Sequence, residues 1–147
     1  MDEYSAVAAQ TVNPGETVIF TASPVSCKRN FVRHRDNTGT FMLTGWSPRR
    51  GSALYLIDCG MNIAIPEGGT VGPIQVSITL DGNTLPDSTM IATPAAVGEY
   101  FNVSRAIHVP VWKGCCQTVA IRNTSDQPIL VQNANVIFER PDLCVMY

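Results

Sequence analysis

Charge is scarce in this chain. Asp, Glu, Lys and Arg make up 15% of the 147 residues and hydrophobic residues 45%, against the roughly 25% charge usual in soluble domains. That balance excludes a disordered chain. It also implies that part of the surface is not solvated in the working state. Neither sign of charge prevails: the formal net charge is −2 and the pI about 5.6. A nucleic-acid partner and an acidic membrane therefore have no support from global charge. No run approaches the ~18 apolar residues of a membrane span, and the opening MDEYSAVAAQ lacks the basic and apolar parts of a signal peptide. Synthesis in the cytoplasm is the expectation. Leucine is sparse too, with 7 residues against 15 Val, 11 Ile and 13 Thr. That excess of β-branched residues argues against a mostly helical protein. The length fits one core, so residues 1–147 are read as a single domain.

The usual chemical signatures are also missing. The five cysteines, Cys27, Cys59, Cys115, Cys116 and Cys144, are odd in number and show no CxxC or CxxH spacing. A secreted disulfide framework and a structural zinc site are both disfavoured. Cys115-Cys116 reads as two small apolar residues at a turn after Gly114, with a redox role as the alternative. Only two histidines exist. His34 sits among like charges in Lys28–Arg35, and His108 lies on the polar phase of a strand, without a local nucleophile or orienting carboxylate. No GxSxG, P-loop, dinucleotide fingerprint, HExxH or EF-hand loop appears, and the carboxylates are scattered singly. The expectation is a non-enzyme with no catalytic residue, cofactor or metal. Two sequons, at Asn102 and Asn123, count as chance matches without a secretory route.

What remains is a rhythm of two. Ile74, Val76, Ile78 and Leu80 alternate with polar residues and run into Asp81-Gly82-Asn83, a tight-turn signal. Phe101, Val103, Ile107, Val109 and Val111 share one face of a second strand, which Arg105 interrupts, marking a bulge, an edge or a charge at an interface. Val119 and Ile121 open a third, and Ile129–Glu139 forms a long last one. Earlier candidates are Ala6–Val12, Thr17–Thr21, Asn30–Arg35, Thr40–Gly45, Ala53–Asp58 and Asn62–Ile65. Pro and Gly fall mostly between these segments. Nine or ten short strands predict an all-β, two-sheet antiparallel jelly-roll sandwich. Pro94–Val97 is the best helical turn, and residues 1–5 and 141–147 read as arms beyond the sandwich.

Two clusters invite a functional reading. Six of the ten basic residues, Lys28, Arg29, Arg33, Arg35, Arg49 and Arg50, fall within residues 28–50. They suit a solvated strand edge, a docking patch for an acidic protein surface, or a nucleic-acid contact. Gln132-Asn133-Ala134-Asn135 places amides inside a strand. Such amides face solvent or an assembly seam, where they fix register.

Several strings resemble a known group. They are Ile65-Pro66-Glu67-Gly68-Gly69-Thr70-Val71-Gly72-Pro73-Ile74, Thr93-Pro94-Ala95-Ala96-Val97, Tyr100-Phe101-Asn102-Val103, Gly114-Cys115-Cys116 and Asn123-Thr124-Ser125-Asp126-Gln127-Pro128-Ile129 through Asn135. Together they resemble small proteins of Firmicutes and their phages, similar to the globular heads of complement and of tumour necrosis factor. The resemblance covers about residues 5–140 and is strongest from 65 to 139. It implies a tumour necrosis factor-like jelly roll that forms tight homotrimers. No Gly-X-Y repeat precedes the domain, so a phage capsid decoration protein fits better than a stalk tip. The implied setting is the virion, on the capsid surface, with the major capsid protein or another virion protein as partner. A carbohydrate- or receptor-binding trimeric head is the alternative, with Trp46 and Trp112 the residues to watch. Attachment is expected through Tyr4, Val7, Arg33, Arg35, Arg49 and Arg50. Subunit contact is expected through Tyr100, Phe101, Phe138, Asn133 and Asn135, the aromatic three having core burial as their other reading.

Overall fold

A computed structural model describes residues 1–26, 31–47, 51–112, 114 and 116–143. Twelve strands occur among them: β1 Asp2–Ala6, β2 Gln10–Val12, β3 Ala22–Val25, β4 Val32–Arg33, β5 Thr40–Leu43, β6 Ser52–Ala64, β7 Ile74–Leu80, β8 Asn83–Thr84, β9 Met90–Ala92, β10 Phe101–Trp112, β11 Gln117–Asn123 and β12 Ile129–Glu139. Sheet A runs β10-β6-β12-β1-β3, with β2 on the far half of β12. Sheet B runs β4-β5-β11-β7-β8, with β9 also on β7. Every strand pair is antiparallel. The chain is an all-β jelly-roll sandwich, as its alternation predicts.

The core lies between the sheets. Tyr55, Ile57, Met61, Ile63, Val136 and Phe138 from sheet A meet Phe41, Leu43, Ile74, Ile78, Val119 and Ile121 from sheet B, all fully or nearly fully buried. Apolar inward residues alternate with other residues along most of the strands, and that hydrophobic phase specifies which face meets the core. The β7–β8 hairpin turns on Asp81 and Gly82, both at positive φ (51° and 83°). This is the primed geometry that a two-residue hairpin requires.

Several expectations need correction. Residues 1–5 are not an arm: β1 is paired to β12 on one side and β3 on the other. Its two acids hid an alternation in which Asp2, Tyr4 and Ala6 point inward. Ala6–Val12 is not one strand but the end of β1, a break at residues 7–9, and β2. Ala53–Asp58 and Asn62–Ile65 join into the thirteen-residue β6, because β10 and β12 pair with it across Asp58–Gly60. The helical turn is not at Pro94–Val97 but is a short 3-10 turn at Pro86–Ser88, with Pro86 at its first position. Thr17–Thr21 contributes isolated bridges, Thr17 to Arg122 and Phe20 to Thr38. Near the other terminus, Arg140 and Asp142 are fixed to the body, so residues 141–142 are no free arm either.

β12 contains a bulge. Its inward residues are Ile129 and Val131, then Ala134, Val136 and Phe138. The phase changes between Gln132 and Asn135, where the register shifts. Asn133 takes φ 54° there and donates its backbone N–H to the Val7 carbonyl at 3.2 Å. The strand exchanges partners at the same point, from β2 to β1.

Candidate functional site

Three regions of the surface carry unusual features. The first is a basin of about 500 Å³ on the outer face of sheet B, lined by Arg33, His34, Arg35, Thr38, Thr40, Met42 and Thr118. His34 turns its ring inward and stacks on buried Phe41, with centroids 4.3 Å apart, while Tyr4 meets its edge. Its Nδ1 lies 2.8 Å from the Thr40 carbonyl oxygen and its Nε2 3.3 Å from that of Phe20. The residues on either side are thereby turned outward, and Arg33 and Arg35 are both exposed. Thr38 donates its hydroxyl to the Arg35 carbonyl at 2.6 Å and fixes the backbone there. Among the described residues neither guanidinium meets a carboxylate. The ion pair there is Arg140–Asp142.

The second region is that ion pair and its surroundings. Arg140 follows β12 and donates from Nε and Nη2 to both Asp142 oxygens, at 2.8 and 2.7 Å. Nη2 also donates to the Trp46 carbonyl at 2.9 Å. The guanidinium lies 4.6 Å from the Phe31 ring centroid and 5.0 Å from that of Tyr55, so two quadrupoles add to the carboxylate. The two side chains are only 6% and 3% exposed. Burial pushes the Asp142 carboxyl up, but hydrogen bonds from Arg140 and the Leu54 backbone leave it below the usual carboxylate range. Burial likewise pulls Arg140 down, and Asp142 outweighs it and holds the guanidinium charged. Tyr55 donates to the Thr44 carbonyl at 2.6 Å and is pushed up by its own burial. Trp46 stacks on Phe31 and remains 53% exposed, and Trp112 is 68% exposed. Nothing in the linear pattern marked Arg140 or Asp142 beyond an arginine and an aspartate flanking a proline after a strand. Their aromatic partners are far away in sequence.

The third region is the outer face of sheet A with the sandwich edge beside it. Outward positions of β6, β10 and β12 present half-buried Leu54, Leu56 and Ile137 and exposed Pro110 and Trp112, interleaved with polar residues: Leu56 lies between His108 and Glu139, and Ile137 is opposite Asp58. The outward positions of β1, β6, β10 and β12 include Glu3, Asp58 and Glu139 but no Lys or Arg. Tyr100 and Phe101, at the start of edge strand β10, are 37% and 40% exposed, and Ile91 on β9 is 59% exposed. Arg105 resolves as the edge alternative: the β10–β6 register is unbroken, and its Nε donates across to the Asp87 carbonyl at 2.8 Å.

The expected site residues separate accordingly. Arg33 and Arg35 come together in the basin. Arg49 and Arg50, with Lys28 and Arg29, lie outside the described residues, as do Cys115 and Cys144. Val7 is exposed between β1 and β2, away from the arginines in the sheet order. Tyr4 is corrected: it is 4% exposed and packs on His34, Phe41 and Phe138. Its phenol is pushed up to about 12, first by burial, then by the charges of Asp2 and Asp36. Phe138 is also corrected: its ring fills the core of one subunit, 1% exposed, because the β12 phase turns it inward. Asn133 occupies the bulge, and Asn135 donates to Glu3 Oε2 at 2.7 Å, an intrachain contact. Cys59 is buried beside Met90, and burial and then the Asp58 charge push its thiol up to about 12. Among the described residues no three His, Cys, Asp or Glu side chains converge to hold a metal. Nor is any helix there long and apolar enough to cross a membrane.

No protein-family model matches this chain, and no curated protein matches it in sequence. Solved structures do. The chain is similar to the globular domain of a zebrafish complement 1qA protein, at 12% identity and a TM-score of 0.60, over 92% of this chain and 94% of that one. It is also similar to the vertex protein P5 of PRD1, at 11% identity and 0.48, over 92% and 94%. The C-terminal domain of EclA, a sugar-binding protein, follows at 14% and 0.42, over 91% and 79%. At these identities the likeness shows the fold, a jelly roll of the complement head type.

Proposed function

We propose that the protein is a non-catalytic homotrimeric head that decorates a virus shell. One observation carries the reading. The two outer faces of the sandwich differ in charge: sheet A presents apolar residues among carboxylates and no Lys or Arg, and sheet B presents Arg33 and Arg35, which make no ion pair among the described residues. A cyclic trimer needs two different complementary patches on each subunit. The apolar residues of sheet A and the Tyr100–Phe101–Ile91 edge supply two such patches. Apolar burial drives association at ~25 cal/mol per Å², less the entropic cost of docking. Assembly through sheet A leaves the arginine face outward, where it steers the trimer onto an acidic shell. The resemblance of residues 65–139 to phage and Firmicutes heads supports the virion setting.

Light scattering of the purified chain is expected to report three subunits at micromolar concentration. Incubated with source particles, the protein should co-sediment in stoichiometric amount. A monomer, or a trimer absent from particles, overturns the proposal. A second reading, a glycan- or receptor-binding head, draws on the exposure of both tryptophans, at the loop before β6 and at the end of β10. Stacking on sugar rings suits such side chains. Glycan binding lost in Trp46→Ala or Trp112→Ala would favour it.

A further inference from the structure

We propose that β4 and the residues after it form a socket for an extended acidic segment of a partner protein, which adds as a strand to the β4 edge and sets acidic side chains at alternate positions against Arg33 and Arg35. The inference rests on the docking reading above and names what is docked.

β4 is the terminal strand of sheet B, and among the described residues it pairs only with β5. An unpaired edge offers backbone hydrogen bonds to an extended chain. Edge strands are commonly guarded by charge. Here the guard is two arginines that make no ion pair among the described residues, while Asp36 beside them accepts from the Ser23 hydroxyl at 3.0 Å.

The geometry is also directional. His34 is anchored inward by Phe41 and by the Thr40 and Phe20 carbonyls. Arg33 and Arg35 therefore line the same outer basin, on which Thr40, Met42 and Thr118 also stand. An added strand points every second side chain to that face, about 7 Å apart. Residues opposite one another on one face interact directly. Glu or Asp at alternate positions would meet the two guanidiniums. Contiguous acids would send half of their charge to the other face. A strand added at the β4 edge lies beside the basin, next to Arg33 and Arg35.

The test measures fluorescence anisotropy of two labelled peptides of identical composition on the intact protein. One alternates Thr and Glu; the other groups its Glu residues together. The alternating peptide should bind about tenfold more tightly, and added salt should weaken it. Arg33→Ser with Arg35→Ser, at exposed positions that leave the circular dichroism spectrum unchanged, should weaken it about tenfold, the loss of two partly screened ion pairs. Equal binding of the two peptides overturns strand addition. Unchanged binding by the double variant overturns the socket. Direct binding of a labelled oligogalacturonate, with no peptide binding, would make the basin an acidic-saccharide site and also overturn it. Peptide binding without co-sedimentation on particles would instead sink the virion reading and leave the socket standing.

Discussion

Replacing Asp142 with Ala strands a buried cation, and its cost follows from the pair's surroundings. The pair is bidentate, at 2.7 and 2.8 Å, and its side chains are 6% and 3% exposed. Removing one partner of such a pair typically costs about 3–5 kcal/mol, because the other charge stays desolvated. Arg140 keeps the Trp46 carbonyl and the two rings after the substitution, which places the loss near the lower end. About 3 kcal/mol in a domain of this size lowers Tm by on the order of 6–12 °C. Arg140→Met together with Asp142→Ala removes both charges and fills the ring cage, so it should lie within about 1 kcal/mol of the parent. The single variant would then be less stable than the double. Thermal unfolding followed by circular dichroism at one fixed protein concentration reads all three proteins. Acid completes the test. The Asp142 carboxyl is lowered by folding, so its contribution is in place above the ordinary value of 3.8 and disappears as pH falls through the folded one. The single variant should lose that part of the acid dependence. A Tm within about 1 °C of the parent for Asp142→Ala would refute the reasoning, since a buried pair cannot be broken at no cost.

Leu54→Arg puts a charge beside Pro110 on the outer face of sheet A and should yield monomers by light scattering with the β spectrum retained; a persistent trimer would move the contact to another face. Gly39→Ala aims a methyl group at the Thr17 side chain and at the Val18 carbonyl 2.9 Å away. It should cost about 1–3 kcal/mol in denaturant unfolding, and an unchanged midpoint would mean that the loop yields freely. Tyr4 holds its proton to about 12 in the fold against 10.0 in the open chain. Its contribution is complete below pH 10 and is lost as pH climbs through 12. Ultraviolet titration should show Tyr4 and Tyr55 ionising late, and Tyr4→Phe should reduce the late step by one tyrosine. Cys59 should resist maleimide at pH 8 until the protein unfolds, as peptide mapping would show.

Alternation made most of the fold legible. The apolar phase of Ile74–Leu80, of the second half of Phe101–Trp112 and, on either side of its bulge, of Ile129–Glu139 points inward, and Asp81-Gly82 states its own turn. β1 was hidden because burial of Asp2 breaks the ordinary polarity code. The gap read near Cys59 vanished because its pairing comes from β10 and β12, which are remote in sequence. The site was less legible for the same reason. Arg33 and Arg35 were visible as charge, but their common direction depends on where His34 finds its carbonyls. The partners of Arg140 come from Trp46, Phe31 and Tyr55, a convergence that no local window contains.

The bulge at Asn133 bears on how the chain avoids misregistered states. If the bulge slid one residue along β12, Gln132 or Ala134 would inherit a φ near 54°. Asn tolerates that region better than either neighbour. The Val7 carbonyl would also lose its donor, and inward residues on one side would rotate toward water. Slippage is thus opposed at one position by backbone, hydrogen bond and burial together. Asn133 therefore works as an error-correcting mark, fixing which residue of β12 answers which residue of β1 and β2 before the sandwich closes.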